Sequence, residues 1–456
     1  MKPFNLLSLV TIIVAVGLTP VGAQSSPVGS LTLAGAVEAA LKHHPAIEAA
    51  DAYSEAVRYG ISAAQAGRYP RVDFAESATR GNNPVYVFGS LLTRGQFAAP
   101  NFALSFLNHP PPLNNFRTQF TAAMPVWDAG RTSRRVQDAR LETQLATKSG
   151  ERTRQEIIFG VIQAYLNGLI ARESVRVAEA GADAAAADLA LVQARSDQGL
   201  AVPSDLLSAQ VQLAQAREEL LRQKNALALA DASLNVAMGV ADGSPVVMES
   251  RLQEAVFETG RLEERQQRAL SSRPDYQQAQ VGEERSANER RMVRSEFLPT
   301  INIFGTWEQN NQTFLARGND NWLAGASLNF NIFDGGARRA HLKASTARQR
   351  QAGALRNQLA SSIRLQVRQA FLNLTTARDR VDVSRGAAEQ AGESLRISQN
   401  RYEAGVATIT DLLRAETQHT AAQRNFLNAL FDYQLSFAAL ELATGELAAD
   451  SAAVRQ

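Results

Sequence analysis

The chain is one unit written twice. RSDQGLAVPSDLLSAQ around Arg195 returns as RYEAGVATITDLLRAE around Arg401, and VIQAYLNGLIAR from Val161 returns as VRQAFLNLTTAR from Val367. Asp128-Ala129-Gly130 returns as Asp334-Gly335-Gly336. Asp128 and Asp334, Val161 and Val367, and Gly199 and Gly405 are each 206 positions apart. A constant offset over so long a stretch means no insertion or deletion between those points. An internal repeat constrains architecture before any single residue does, and this one specifies two equivalent long-helix units. Upstream the offset is 229, from Pro45 to Pro274 and from Pro70 to Pro299, so the first copy carries 23 extra residues between Pro70 and Asp128.

Within each copy the hydrophobic period changes. Leu33, Val37, Leu41, Ile47 and Val57 recur at helical spacing up to Tyr69, and Pro70 ends that helix because it lacks a donor and biases its predecessor away from helix. Strict alternation follows. Phe116, Phe120, Met124 and Val126 share one parity, and Arg117, Gln119 and Thr121 take the other. In the second copy Trp322, Leu328, Phe330 and Ile332 face one way, and Asn321, Ser327, Asn329 and Asn331 the other. Hairpins over about 70–128 and 299–334, with one apolar and one polar face, suit a barrel wall with lipid outside and water inside. Trp127, Trp307, Trp322 and Phe333 fall near strand ends, as an interfacial girdle requires. Gly81 to Asn115 reads as a long loop that holds the extra residues, and Gln309 to Asn321 as a short polar one.

After each Asp-x-Gly, helical character runs without proline to about Gln198 and Ala404. Helices of such length extend about 100 Å at 1.5 Å per residue, beyond the need of any compact domain and suited to a coiled coil or a tube of helices. Gly199 and Gly405 end them, and Ser204 and Thr408 or Thr410 are the expected N-caps of returning helices. The expected division is 24–239 for the first repeat, 240–262 for a linker, 263–445 for the second repeat and 446–456 for a frayed, flexible tail.

Composition narrows function by exclusion. The net charge of +2 provides no field for nucleic acid. The absence of cysteine removes disulfides, thiolate chemistry, Cys-ligated zinc and an N-terminal lipid anchor, so a lipoprotein is not expected. His43 and His44 are adjacent rather than four apart, and His109, His341 and His419 are isolated, so no metal site, cofactor or catalytic group is expected. Lys2, the apolar run from Leu6 to Val16 and Val21-Gly22-Ala23 read as a cleaved signal peptide over 1–23, which directs the chain out of the cytoplasm.

The two turns, about 196–205 and 402–411, hold the informative polar residues: Arg195, Gly199 and Asp205, then Arg401, Gly405 and Asp411. Two readings stand side by side. In a tube the aspartates form an acidic ring at one mouth; on a lone hairpin they only terminate and cap helices.

The duplicated Arg-x3-Gly turn followed by Asp-Leu-Leu, the strand entries at Pro70 and Pro299, and the Asp-x-Gly strand exits resemble the TolC-like outer membrane factor family over nearly the whole mature chain. The resemblance implies a mainly α fold with a membrane β-barrel part. It implies a homotrimer whose protomers each give four strands to one 12-stranded barrel, continuous with a long α-helical barrel in the periplasm. It implies partners: a periplasmic adaptor docking on the tips at Gly199-Leu200 and Gly405-Val406 with Arg195 and Arg401 beside them, an inner-membrane pump of the RND, ABC or MFS class, and outer-membrane lipid. Asp411 matches the family's aperture aspartate. Arg414 stands where some members carry a second acid, and Ala407 where an assisting arginine is found. Tyr402 and Asp205 match a pair that holds the tips shut. The function so implied is a passive exit duct for small molecules or polypeptides. The alternative is a periplasmic coiled-coil scaffold or adaptor without a pore.

Overall fold

The computed structural model describes residues 31–249, 252, 256–314 and 316–455. The expected signal peptide lies outside the described residues. In chain order the elements are helix α1 (Leu33–His43), α2 (Pro45–Ala66), strand β1 (Arg71–Gly81), α3 (Pro84–Thr93), a 3₁₀ turn at Ala99–Phe102, α4 (Leu104–Asn108), β2 (Leu113–Trp127), α5 (Arg131–Asp197), α6 (Pro203–Met238), α7 (Leu262–Ser272), α8 (Pro274–Ser295), β3 (Thr300–Asn311), β4 (Asn319–Asn329), α9 (Ala337–Glu403) and α10 (Ile409–Thr444). The repeat is exact in helix length: α5 and α9 have 67 residues each, and α6 and α10 have 36 each.

The four strands form one antiparallel sheet in the order β1-β2-β3-β4. Phe74, Phe120, Trp307 and Trp322 align across all four strands on one face. The next row on the opposite face is Asp73, Thr121, Thr306 and Leu323. The apolar face stays open, with Val72, Phe74, Trp322 and Leu328 all exposed. β1 and β4 are unpaired on their outer edges among the described residues. Such edges invite pairing with another chain. No helix among the described residues is long and apolar enough to cross a membrane.

Strand gives way to helix through the same device twice. Asp128 accepts from the Gly130 amide at 2.9 Å and the Thr132 amide at 2.6 Å, and Asp334 accepts from Gly336 at 3.0 Å and Arg338 at 3.1 Å. Each aspartate fills orphan donors of the helix start, and Gly130 and Gly336 take the left-handed backbone the turn needs. At the far ends of α6 and α10, Gly239 (φ 72°) and Gly445 (φ 74°) press on the bends at His44 and Arg273. A Cβ there would lie 2.6 Å from His44 Cα and 2.8 Å from Arg273 Cα, so only glycine fits.

The core lies midway along the long helices. Val37 and Ala40 of α1, Val161, Ile162 and Tyr165 of α5, Leu234 of α6, Ile363 and Val367 of α9, and Leu430 and Phe437 of α10 pack in one cluster. The linker joins it: Leu31 bonds to Val247 and Glu249, Met248 is buried, and Phe257 stacks on Phe437 at 3.9 Å.

Three expectations need correction. The tail after Gly445 is packed rather than frayed: Leu447, Ala453 and Val454 are buried, and the Ala453 amide donates to Glu441 at 3.2 Å. Few as they are, its apolar side chains complete the core. Ser204 does not cap α6; Val202 holds the N-cap position, and Pro203 begins the helix because proline has no amide to leave unsatisfied there. Gly81 to Asn115 is a folded segment, not a plain loop, with α3 capped by the Asn83 side chain donating no hydrogen but accepting from Tyr86 at 3.1 Å.

Candidate functional site

The turns between α5 and α6 and between α9 and α10 come together at one end of the molecule. A second small core marks the place: Val192, Ala209, Tyr402, Ile409 and Leu412. Gly199 (φ 69°) and Gly405 (φ 74°) provide the left-handed positions that let each chain reverse. Leu200 and Val406 then project outward, 74% and 65% exposed.

The two turns are closed by different chemistry. Thr408 and Asp411 form a capping box: Asp411 N donates to Thr408 Oγ1 at 3.2 Å, and Thr408 N donates back to Asp411 Oδ2 at 3.1 Å. The Thr408 hydroxyl and amide hold the Asp411 carboxyl below the usual carboxylate range, with Arg414 and Arg401 adding to the effect. Capping and negative charge at this turn are therefore properties of the same residue. Asp205 lies in the first turn of α6, where no side chain caps the helix.

Arg195 joins the two copies. Its Nη1 donates to Tyr402 O at 3.0 Å and its Nη2 to Glu403 O at 2.8 Å, and its guanidinium stands 4.6 Å from the Tyr402 ring centre. It thus satisfies the last carbonyls of α9 and stacks on a buried aromatic in one placement. The Tyr402 ring pairs with Arg195, and no hydrogen bond joins Tyr402 to Asp205 among the described residues. Burial pushes the Tyr402 hydroxyl up, and Asp205 and Asp188 add to that against the pull of Arg195. Arg401 and Arg414 are exposed.

One pair was absent from the sequence reading. Glu416 of α10 is buried with Asp188 of α5 as its charged neighbour, and Glu416 Oε1 and Asp188 Oδ2 are both buried with no donor from any other group. Burial, then the neighbouring Asp188, pushes Glu416 up to about 8. A signal existed: Glu416 falls four positions after buried Leu412, on the stripe that faces the core. Its repeat equivalent, Gln210, is exposed.

The family model for outer membrane efflux proteins matches residues 36–240 and 266–446, which takes in both copies and both turns. The chain belongs to the outer membrane efflux protein family. Membership makes it an outer membrane protein that extends into the periplasm. Among curated relatives, Protein CyaE of Bordetella pertussis is 25% identical over 429 residues, covering 91% of this chain and 84% of the relative. The alkaline protease secretion protein AprF of Pseudomonas aeruginosa is 22% identical, covering 90% and 83%. The crystal structure of a membrane protein from Pseudomonas aeruginosa superposes with a TM-score of 0.78 at 21% identity, covering 92% of each chain. The fold is that of TolC-like outer membrane channels, a short β-sheet leading into long paired helices.

Proposed function

We propose that this chain is one protomer of a trimeric exit duct that carries cargo from a periplasmic pump complex to the exterior. The observation that carries the reading is a four-stranded sheet with two open edges and an exposed apolar face, joined directly to two 67-residue helices. Three such sheets close into a 12-stranded barrel that removes every free edge. A periplasmic scaffold would leave that apolar face and both edges in water, which disfavours it. Energy comes from an inner-membrane pump, and the adaptor meets Gly199-Leu200 and Gly405-Val406. The exposed Leu200 and Val406 support that role. At the aperture, Asp411 provides charge with Arg414 beside it, and Arg195 with Tyr402 holds the copies together, with Asp205 close to the Tyr402 ring.

The test is single-channel conductance of the purified protein in planar bilayers. Wild type is expected to give a small, steady current. Asp411→Ala should alter its size or its cation block, and Arg195→Ala should raise it more than Tyr402→Phe does, because Arg195 bonds across the copies. A folded trimer with no current from any variant, including Arg195→Ala, sinks the duct reading.

A further inference from the structure

The second opening of such a duct is its outer mouth, and the folded segment between β1 and β2 lies there. This segment contains the extra residues of the first copy, and it does not simply loop outward. Asn319 and Asn321 of β4 both donate to Thr93 O, at 3.0 and 2.9 Å. Thr93 belongs to the β1–β2 connection, whereas β4 is the far strand of the sheet. With neighbouring strands about 4.8 Å apart, the segment must cross the sheet to make those bonds.

The face it crosses is the polar one. Asn321 pairs with Glu308 and Asn319 with Asn310, one residue out of phase with the Trp307–Trp322 pair on the apolar face. Arg94 next to Thr93 is only 4% exposed, and its Nε donates to Asn115 Oδ1 at 3.1 Å and its Nη2 to Asn311 O at 3.3 Å. Asn115 donates on to Asn310 at 2.9 Å, and Asn310 donates to Glu308 at 3.1 Å. Glu308 pairs with Arg117. Asn115 and Asn310 are buried although they stand on the side of the sheet meant for water. Helix α3 and its flanking residues cover them. Phe88, Phe97 and Phe102 pack edge to edge within the segment and give it a small core of its own.

Resting on the duct reading above, we propose that residues 82–112 form a plug seated inside the outer end of the barrel, latched to the wall by Arg94 and by the Thr93 carbonyl. The plug sets the size of hydrophilic molecule that can enter the lumen from outside. The second connection, between β3 and β4, is too short to do the same, so each protomer contributes one plug.

The chain contains no cysteine, so a single introduced thiol reports without background. Thr121 lies on the polar face one row below the Gln119–Glu308–Asn321 row, beneath the plug. The experiment labels Thr121→Cys on intact cells with a small membrane-impermeant maleimide and with a maleimide carrying a long polyethylene glycol chain. Gly81 pairs with Leu113, so residues 83–111 can be replaced by Asn-Gly without disturbing the strands. The full chain should react readily with the small reagent and slowly with the large one. The shortened chain should react readily with both. Arg94→Ala should accelerate the large reagent about tenfold, as the loss of hydrogen bonds from one charged group predicts. Heat-modifiable migration on gels checks that each variant is folded. Equal rates of large-reagent labelling in the full and shortened chains overturn the plug alone. No labelling of Thr121→Cys by the small reagent in any folded variant overturns the water-filled barrel and the plug with it.

Discussion

Helices α5 and α9 are repeat equivalents of identical length, yet they live in different surroundings. Nineteen of the 67 positions in α5 are buried, against eight of 67 in α9. The contrast is sharpest at one aligned residue. Leu166 in VIQAYLNGLIAR is 3% exposed, and Leu372 in VRQAFLNLTTAR is 55% exposed. Val161 and Val367, five positions earlier in each helix, are both fully buried. The lesson is that α5 is covered on more sides by its own chain, by α1, α2, α6, α8 and α10, whereas α9 meets only α7, α8 and α10 to any extent. α9 keeps apolar side chains such as Leu355, Leu365, Leu372 and Val383 exposed, which the proposed trimer covers with a neighbouring protomer.

The largest expected effect tests that contrast directly. Leu166→Ala should destabilise the folded chain by ~2–5 kcal/mol through lost burial and a residual cavity. Leu372→Ala should leave chain unfolding nearly unchanged and instead lower the temperature at which the oligomer dissociates on gels. Equal losses in denaturant unfolding for the two variants would break the distinction between an internal and an external helix.

A second comparison is between Glu416 and Gln210, which occupy the same repeat position. Glu416 has a folded pKa raised from 4.5 to about 8, so the native state holds a proton that the unfolded chain has released across that window. Its favourable contribution is fully present below pH 4.5, falls as pH rises, and is gone above about 8. Glu416→Gln should therefore stabilise the protein at pH 8 and flatten its stability profile between those limits, as read by thermal melting at several pH values. Gln210→Glu, on an exposed surface, should change neither. A wild-type profile that rises from pH 5 to 8 while the Gln variant stays flat would refute the shared-proton pair.

The smallest effect separates the two turns. Thr408→Ala removes the cap of α10 and should cost ~0.5–2 kcal/mol. Val202→Thr supplies α6 with the cap it lacks and should recover part of a comparable amount. Hydrogen exchange at the first amides of each helix measures both. Unchanged exchange at Asp411 in Thr408→Ala would show that the capping box contributes nothing there.

Much of this is legible in the amino-acid sequence. The constant offset located α5 and α9, the prolines located the strand entries, and Gly199, Gly405 and Asp411 marked the turns, because each depends on local backbone chemistry. The clamp by Arg195 was not legible, since its acceptors are carbonyls of a helix 207 and 208 positions away. The Asp188–Glu416 pair was missed for the same reason: its members belong to helices that meet only after the hairpins fold against each other. The packed tail and the folded β1–β2 segment escaped because their few apolar residues carry no period.

The sequence by itself determined which segments become helix or strand, where the chain reverses and that it does so twice alike, because periodicity, proline and glycine act within a few residues. Only the tertiary structure decided which copy is inside and which is outside. Two helices of equal length and equivalent position cannot both hold the centre of one protomer. The residues that break the symmetry, Glu416 against Gln210 and the segment 82–112 against its short counterpart, act through contacts that exist only once the chain is packed.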